Sequence, residues 1–555
     1  MVPHEAHHED LLLNDDRMSM SDFGEGMGSY GFQHKRRHDN TESTTFFCDL
    51  DIKPEVDTGT VTDEWFSFKK LWKYAGPGLL MSIAYLDPGN LESDLQSGAV
   101  AGYSLLWLLF WAHVIGLIFQ LLSARLGIIT GSHLAQLIRQ SYSTRMSVIL
   151  WAFAQAAIIG ADIMEIVGTA VALNILFGLP LWAGVIMTAM DTLTFMMIQR
   201  YGMRKIEAFF MVLITVMTVC FWVELIQSKP DVKEIMKGMI VPKIPLHTEL
   251  QAVGMLGAIV MPHNMFLHSA LVKSRDLGPD PSVRKLKEAN FYFGIESALA
   301  LLLSFFVNLA IVVVFAKVFF DPEQVGNIVI PGLGQAEAVL SKTLGPAAKY
   351  LWAGGLLAAG QSSTMTGTLA GQYVCEGFFG MIFKKEWHRM AATRGISLVP
   401  GILVAIFAVD HFDTMGEMLN VLQSICLPTV LIPIMKLSWS SDVVPAEFRL
   451  STPIHAICIT LVCVVIGFDV FLFVRHINDL TSFILIGLFS SAWIIFLIWL
   501  TWLPVDYDPE KKVVAGEWSR LPVDEHNQEA EDSESGNTHR QSHIPLEDVR
   551  PADHI

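Results

Sequence analysis

At 555 residues, with 52% of positions hydrophobic and 17% charged, the chain is too apolar for an average soluble protein and reads as a polytopic membrane protein. Its formal net charge of -17 lies mostly in the two tails and argues against nucleic acid as a partner. The cysteines, Cys48, Cys220, Cys375, Cys426, Cys458 and Cys463, have no CxxC spacing and imply no disulfide framework.

Residues 1–65 are polar and acidic, which predicts a disordered tail without a cleavable signal peptide. His4, His7 and His8 in that tail read as solvated, because a disordered chain holds no ligand geometry. Apolar runs long enough to cross a bilayer then follow at roughly 73–97, 104–129, 147–177, 180–199, 206–227, 250–271, 291–319, 345–375, 392–410, 417–437, 453–474 and 481–503. The expected fold class is therefore all-α, with twelve transmembrane helices and a transporter domain over 66–503. An even number puts both termini on one side. Lys and Arg concentrate in the loops that share that side, at Arg139, Arg145, Arg200, Arg204, Lys205, Lys273, Arg275, Arg284, Lys285, Lys287, Lys384, Lys385 and Arg389. The positive-inside rule makes that side cytoplasmic, with Lys229, Lys233, Lys237 and Lys243 as the dissenting loop.

The first run contains Ala84-Tyr85-Leu86-Asp87-Pro88-Gly89-Asn90. Proline removes a donor and glycine removes steric restraint, so the helix is expected to unwind there. Asp87 facing lipid would cost about 3 kcal/mol, and irregular backbone at membrane depth survives only where it lines a cavity or is buried in protein. An acid, an amide and freed carbonyls describe a cation ligand set. In the third run, Asp162 and Glu165 stand three residues apart on one helix face. They read either as a proton relay or as a structural acid pair satisfied by helix-end donors.

The sixth run repeats the anomaly of the first: Ala258-Ile259-Val260-Met261-Pro262-His263-Asn264 is broken by proline and continues to His268. Paired interruptions five segments apart point to a transporter site at the interface of two inverted repeats, segments one to five and six to ten. Asp87 and Asn90 supply hard oxygens, and Met261 adds a soft sulfur that calcium and magnesium do not favour. That mixture suits first-row ions such as manganese and ferrous iron. Carbonyls of Ala84 and Ala258 would complete the shell, and His263 and His268 titrate near neutral pH.

DPGN in the first run, MPHNMFLHS in the sixth, and Gly360-Gln361-Ser362-Ser363-Thr364-Met365-Thr366-Gly367-Thr368 with Ala370-Gly371-Gln372 in the eighth resemble the Nramp family, over about 73–503. With long tails the chain is most similar to the animal natural resistance and divalent metal transporter branch. The resemblance implies a LeuT-like five-plus-five inverted repeat and symport of protons with Fe²⁺ or Mn²⁺, with cadmium and cobalt as further cargo. It places Asp87, Asn90, Met261, Ala258, Ala84 and Asn420 at the metal, and Asp162, Glu165, His263, His268 and Arg394 on the proton route. The chain departs from the family at Cys426-Leu427-Pro428-Thr429, where a Gln before Leu-Pro and an aromatic after it are usual.

One divalent ion and one proton moving inward carry three charges, worth roughly 7 kcal/mol per 100 mV of inside-negative potential. Import across the plasma membrane, apical surfaces included, or out of an acidic endosome follows as the expected direction. A cation-coupled amino-acid carrier of the same fold would present small residues and backbone amides to a carboxylate, not an acid and a thioether. A metal-sensing receptor or membrane enzyme would need a folded domain outside the membrane. Residues 504–555 are expected to be a second disordered cytoplasmic tail carrying trafficking or partner signals. Metal ions, protons and the lipid bilayer are the expected partners, with no cofactor and no enzymatic turnover.

Overall fold

In lipid every backbone polar group must be satisfied within the protein, so long apolar runs fold as helices. The computed structural model describes residues 56–59, 66–188, 190, 203–278, 281–321, 331–380, 395–396, 399–400, 402–404, 412–476 and 480–509. A short helix α1 (Phe68–Tyr74) precedes α2 (Pro77–Ala84) and α3 (Pro88–Ala101). Next come α4 (Leu106–Thr130), α5 (Leu134–Ser141) and α6 (Thr144–Phe177). Both α4 and α6 stop at a left-handed glycine, Gly131 and Gly178. Beyond them are α7 (Met203–Ser228), α8 (Val232–Ile240), α9 (Glu249–Ile259), α10 (Pro262–Leu271) and α11 (Val283–Phe319). The series closes with α12 (Leu333–Leu344), α13 (Ala348–Phe379), α14 (Phe412–Cys426), α15 (Pro428–Trp439), α16 (Thr452–Arg475) and α17 (Leu480–Trp502).

Among the described residues, 8 helices are long and apolar enough to cross a membrane. The first expected segment is not one of them: the sixth and tenth are also interrupted and are counted, but here α3 carries Asn90, Glu92, Ser93, Asp94, Gln96 and Ser97. Neither is α13, whose polar small-residue run Gly360–Thr368 sits where the eighth segment was expected. Half of the fourth expected segment and most of the ninth lie outside the described residues, and so does Arg394. The tenth differs in form from the expected single helix: α14 and α15 meet at Leu427, where Pro428 removes an amide from the ladder.

The packing repeats with an offset of five segments. The broken first segment, α2 and α3, packs on α11, and the broken sixth, α9 and α10, packs on α4. The third segment α6 packs on α14, and the eighth, α13, packs on α7. α9 meets α14 as α2 meets α7, and α6 and α13 pack against each other across the centre. Each contact maps onto its partner when the halves are exchanged, as a five-plus-five repeat requires.

Two stretches expected to be disordered are partly tied down. Residues Val56–Asp57 form β1, which pairs in parallel with β2 (Arg275–Asp276), and Thr58 donates to the Asp276 carbonyl. At the other end, the amides of Asp506 and Asp508 donate to Ser141 and Gln140 carbonyls at 3.1 Å each. The rest of both tails lies outside the described residues. The dissenting lysine loop holds α8, whose Gly238 packs on the Tyr103 backbone. Between α4 and α5, burial, with help from Lys273, holds the His133 imidazole well below its ordinary pKa.

Candidate functional site

The first break leaves α2 at Ala84 and resumes at Pro88, with Asp87 as the extended N-cap residue of α3 (φ -78, ψ 168). Asp87 Oδ1 accepts the Asn90 amide at 2.7 Å and Asn90 Nδ2 at 2.8 Å. The side-chain carbonyl oxygen Oδ1 of Asn90 has no hydrogen-bond partner among the described residues. Both side chains are buried. A buried carboxylate thus stands beside an amide oxygen with a lone pair to give, the donor chemistry a hard cation accepts.

The second break is built the same way. α9 ends at Ile259, Val260 leaves the helix (φ -97, ψ 70), and the extended Met261 caps α10 ahead of Pro262. Asn264 Nδ2 donates to the Ala84 carbonyl at 3.3 Å, so the second break is bonded to the end of the first. Ala84 therefore has its carbonyl engaged in this structure. Ala258, in the last turn of α9, and Met261, at the interruption, are both buried. On α11, Asn308 Nδ2 donates to the Tyr85 carbonyl at 3.0 Å.

Asn420 of α14 joins the two breaks. Its Nδ2 donates to the Gly89 carbonyl at 3.2 Å, while its Oδ1 has no partner among the described residues. Its own backbone lies against α9: a Cβ on Gly257 would fall 2.0 Å from the Asn420 carbonyl oxygen. Glycine is needed there for close approach, not for its conformational freedom.

The carboxylates of Asp162 and Glu165 converge on one point of α13, since a Cβ on Gly367 would lie 3.0 Å from Asp162 Oδ1 and 3.2 and 3.3 Å from the Glu165 oxygens. One turn further along α6, Gly168 lies against Pro88, with its Cβ position 2.4 Å from the Pro88 Cβ. The acid pair is therefore mechanically adjacent to the first break. His263, in the first turn of α10, is an electrostatic neighbour of Asp162. His268 is turned elsewhere: Nδ1 lies 3.2 Å from the Gln120 carbonyl and Nε2 3.5 Å from Ser297 Oγ, which ties α10 to α4 and α11.

Among the described residues no group of three or more His, Cys, Asp or Glu side chains converges as a metal cluster. A cation at the first break would meet the Asp87 carboxylate beside the neutral amide oxygens of Asn90 and Asn420.

Four buried polar groups escaped the sequence reading. Asn264 lay within the second break but had no assigned role, and Asn308 is a single amide in an apolar run. Glu417, one turn before Asn420, has both carboxylate oxygens without a hydrogen-bond partner among the described residues. Asp469 on α16 accepts from Ser424 Oγ at 2.6 Å.

At the start of α2 the chain is locked. Glu296 of α11 accepts the amides of Gly76, Gly78 (3.0 Å) and Leu79 (3.3 Å). Arg275 bonds the Tyr74 and Ala75 carbonyls and pairs with Glu207 at 2.8 Å.

The family profile described as natural resistance-associated macrophage protein-like (Nramp) matches residues 78–475. The chain is 42% identical over 492 residues to natural resistance-associated macrophage protein 2 of Mus musculus, covering 83% of this chain and 84% of that protein. It is 49% identical over 388 residues to the metal transporter nramp1 homolog of Dictyostelium discoideum, covering 70% of this chain and 72% of that one. Among solved structures, the manganese transporter of Eremococcus coleocola, in complex with an aromatic bis-isothiourea substituted compound, superimposes with a TM-score of 0.70 at 27% identity. That match covers 81% of this chain and 97% of the other.

Proposed function

We propose, from the premise that the chain belongs to the Nramp family of multi-pass membrane metal transporters, that it is a proton-coupled symporter importing Fe²⁺ and Mn²⁺, with Cd²⁺ and Co²⁺ as further cargo. Divalent metal transport is what its relatives share; the proton, the ions and the direction are the added content of the proposal. The observation that carries it is the convergence of Asp87, Asn90 and Asn420 at a break whose end is bonded to the second break through Asn264.

In this reading Asp87, Asn90 and Met261 hold the ion together with the Ala258 carbonyl. The Ala84 carbonyl joins when Asn264 lets go of it, and Asn420 closes the site from α14. The C-terminal ends of α2 and α9 bring partial negative charge to the cation, and the N-terminus of α3 stabilises the Asp87 carboxylate. A proton leaving Asp87 or His263 passes to Asp162 and Glu165. His268 and Arg394 belong to the same route in the family pattern; His268 acts here by anchoring α10. Swinging α2 away from Glu296 and Arg275 releases the ion inward. Both termini face the cytoplasm, and the membrane is the plasma membrane or that of an endosome. The thioether of Met261 is what disfavours calcium.

The test is manganese uptake into proteoliposomes at neutral and acidic external pH with calcium in excess. Uptake that rises with acid, carries inward current and ignores calcium is the expected result. Uptake indifferent to pH would remove the proton from the mechanism, and no uptake by correctly inserted protein would overturn the reading.

A further inference from the structure

Arg125 stands in the last turns of α4, a helix long and apolar enough to cross the membrane. A charge at such a place normally meets a carboxylate, a backbone carbonyl or a water-filled cavity. Here the Nε of Arg125 is buried without a hydrogen-bond partner, and the side chain enters no ion pair among the described residues. What it meets is a pocket of about 380 Å³ between α4, the first turns of α11 and the short turn Ala446–Phe448 in the connection from α15 to α16. Leu122, Ile128, Phe293 and Phe448 give that pocket an apolar wall. Gly294 leaves room in it, since a Cβ there would meet no heavy atom within 4 Å. Lys287 and Glu447, both exposed, complete the charged lining. Although Glu447 is the one carboxylate available, it is ion-paired with neither Arg125 nor Lys287.

A pocket that holds a guanidinium and a carboxylate without letting them pair suits a ligand that carries both signs. Phosphate matches the planar fork of an arginine, and a primary ammonium gives charge-assisted hydrogen bonds to a carboxylate. The volume is within the range of small-molecule sites and far above that of a single ion. The place, where a membrane-spanning helix reaches its end, is the level of lipid headgroups, to which long basic side chains extend. We propose that this pocket binds the headgroup of phosphatidylethanolamine, its phosphate on Arg125 with Lys287 beside it and its ammonium on Glu447, the acyl chains remaining in the bilayer. The site goes beyond the transport reading and does not depend on it. Its position has a mechanical meaning all the same. α11 supports the first break and α4 the second, so a headgroup held between them ties the two supports together.

Native mass spectrometry of the delipidated full-length protein in detergent micelles, titrated with phosphatidylethanolamine or phosphatidylcholine of identical acyl chains, tests this directly. Choline has no N–H to give to Glu447, so the wild type should prefer phosphatidylethanolamine by about fivefold or more. In Glu447→Gln the two lipids should bind within about twofold of each other. Arg125→Gln should weaken both by about fivefold or more. Its melting temperature should not fall, because the guanidinium has no partner in the protein to lose. Gly294→Leu, which grows into the open space, should weaken both lipids with the fold intact. Equal binding of the two lipids by the wild type, a preference that survives Glu447→Gln, or binding untouched by Arg125→Gln or Gly294→Leu overturns the proposal. Displacement of the lipid by equimolar phosphoethanolamine would make this a site for a soluble phosphate and overturn it as well.

Discussion

Asp87 and Met261 occupy the same position in two different helices: each is the extended residue that caps a half-helix opening with proline. The repeat thus places a carboxylate and a thioether at equivalent points, hard on one side and soft on the other. Replacing Asp87 with Ala should reduce manganese uptake to background while the protein still melts as a folded species. Met261→Ala should keep manganese uptake but let calcium compete. Uptake by Asp87→Ala at wild-type rate would remove the site assignment.

Close approach of α9 and α14 gives a steric prediction. In Gly257→Val the new side chain meets the Asn420 carbonyl and the Ser424 amide, and overpacking of this kind costs about 1–3 kcal/mol. The expected result is a lowered melting temperature together with weakened manganese binding, measured on the same preparation. Gly294→Ala, with nothing within 4 Å of its added methyl, serves as the control and should change neither.

Gly367 lies between the acid pair and α13. Gly367→Ala pushes a methyl against Asp162 and Glu165 at distances their side chains can absorb by moving a few tenths of an ångström. Thermal stability should stay near wild type while the dependence of uptake on external pH changes. An unaltered pH profile would place the proton route elsewhere.

Asn264→Ala removes the donor to the Ala84 carbonyl and leaves a buried acceptor unanswered, a loss of about 1–3 kcal/mol. Asn308→Ala does the same to Tyr85. Chemical or thermal unfolding in detergent should register both, and the double variant should be close to additive only if the two carbonyls act independently.

His133 gives the protein a pH dependence of stability outside the transport path. Its folded pKa is depressed by burial, while the unfolded imidazole titrates near about 6.5. Above that value both states are neutral and nothing is lost. As pH falls below it the unfolded chain binds a proton that the folded one refuses, so stability declines toward the folded pKa. A His133→Gln variant should melt with a flatter dependence between neutral pH and pH 5, and an unchanged slope would assign the loss to other groups.

The two breaks were legible because a proline beside an acid or an imidazole contradicts an apolar run, and no packing detail is needed to see it. Asn420 became visible only through the family resemblance, since a single amide in a helix declares nothing by itself. Asn308 and Glu417 were hidden for the same reason: their importance lies in which carbonyl or glycine stands opposite, information held on another helix. The α14–α15 junction carried its proline in plain view, but a proline within a long apolar run predicts equally a kink and a continuous span. The pairing of β1 was illegible because its partner, β2, is more than two hundred residues away.

That distance bears on how the protein is made. Thr58 and Asp276 are 218 positions apart, so at synthesis rates of roughly 5–20 residues per second the strand waits on the order of 10–40 s for its partner. Glu296, which locks α2, emerges later still. The first half-helix therefore enters the bilayer unfastened and stays so until the sixth and seventh segments have followed it, which makes assembly of the lock a checkpoint that only a largely inserted chain can pass.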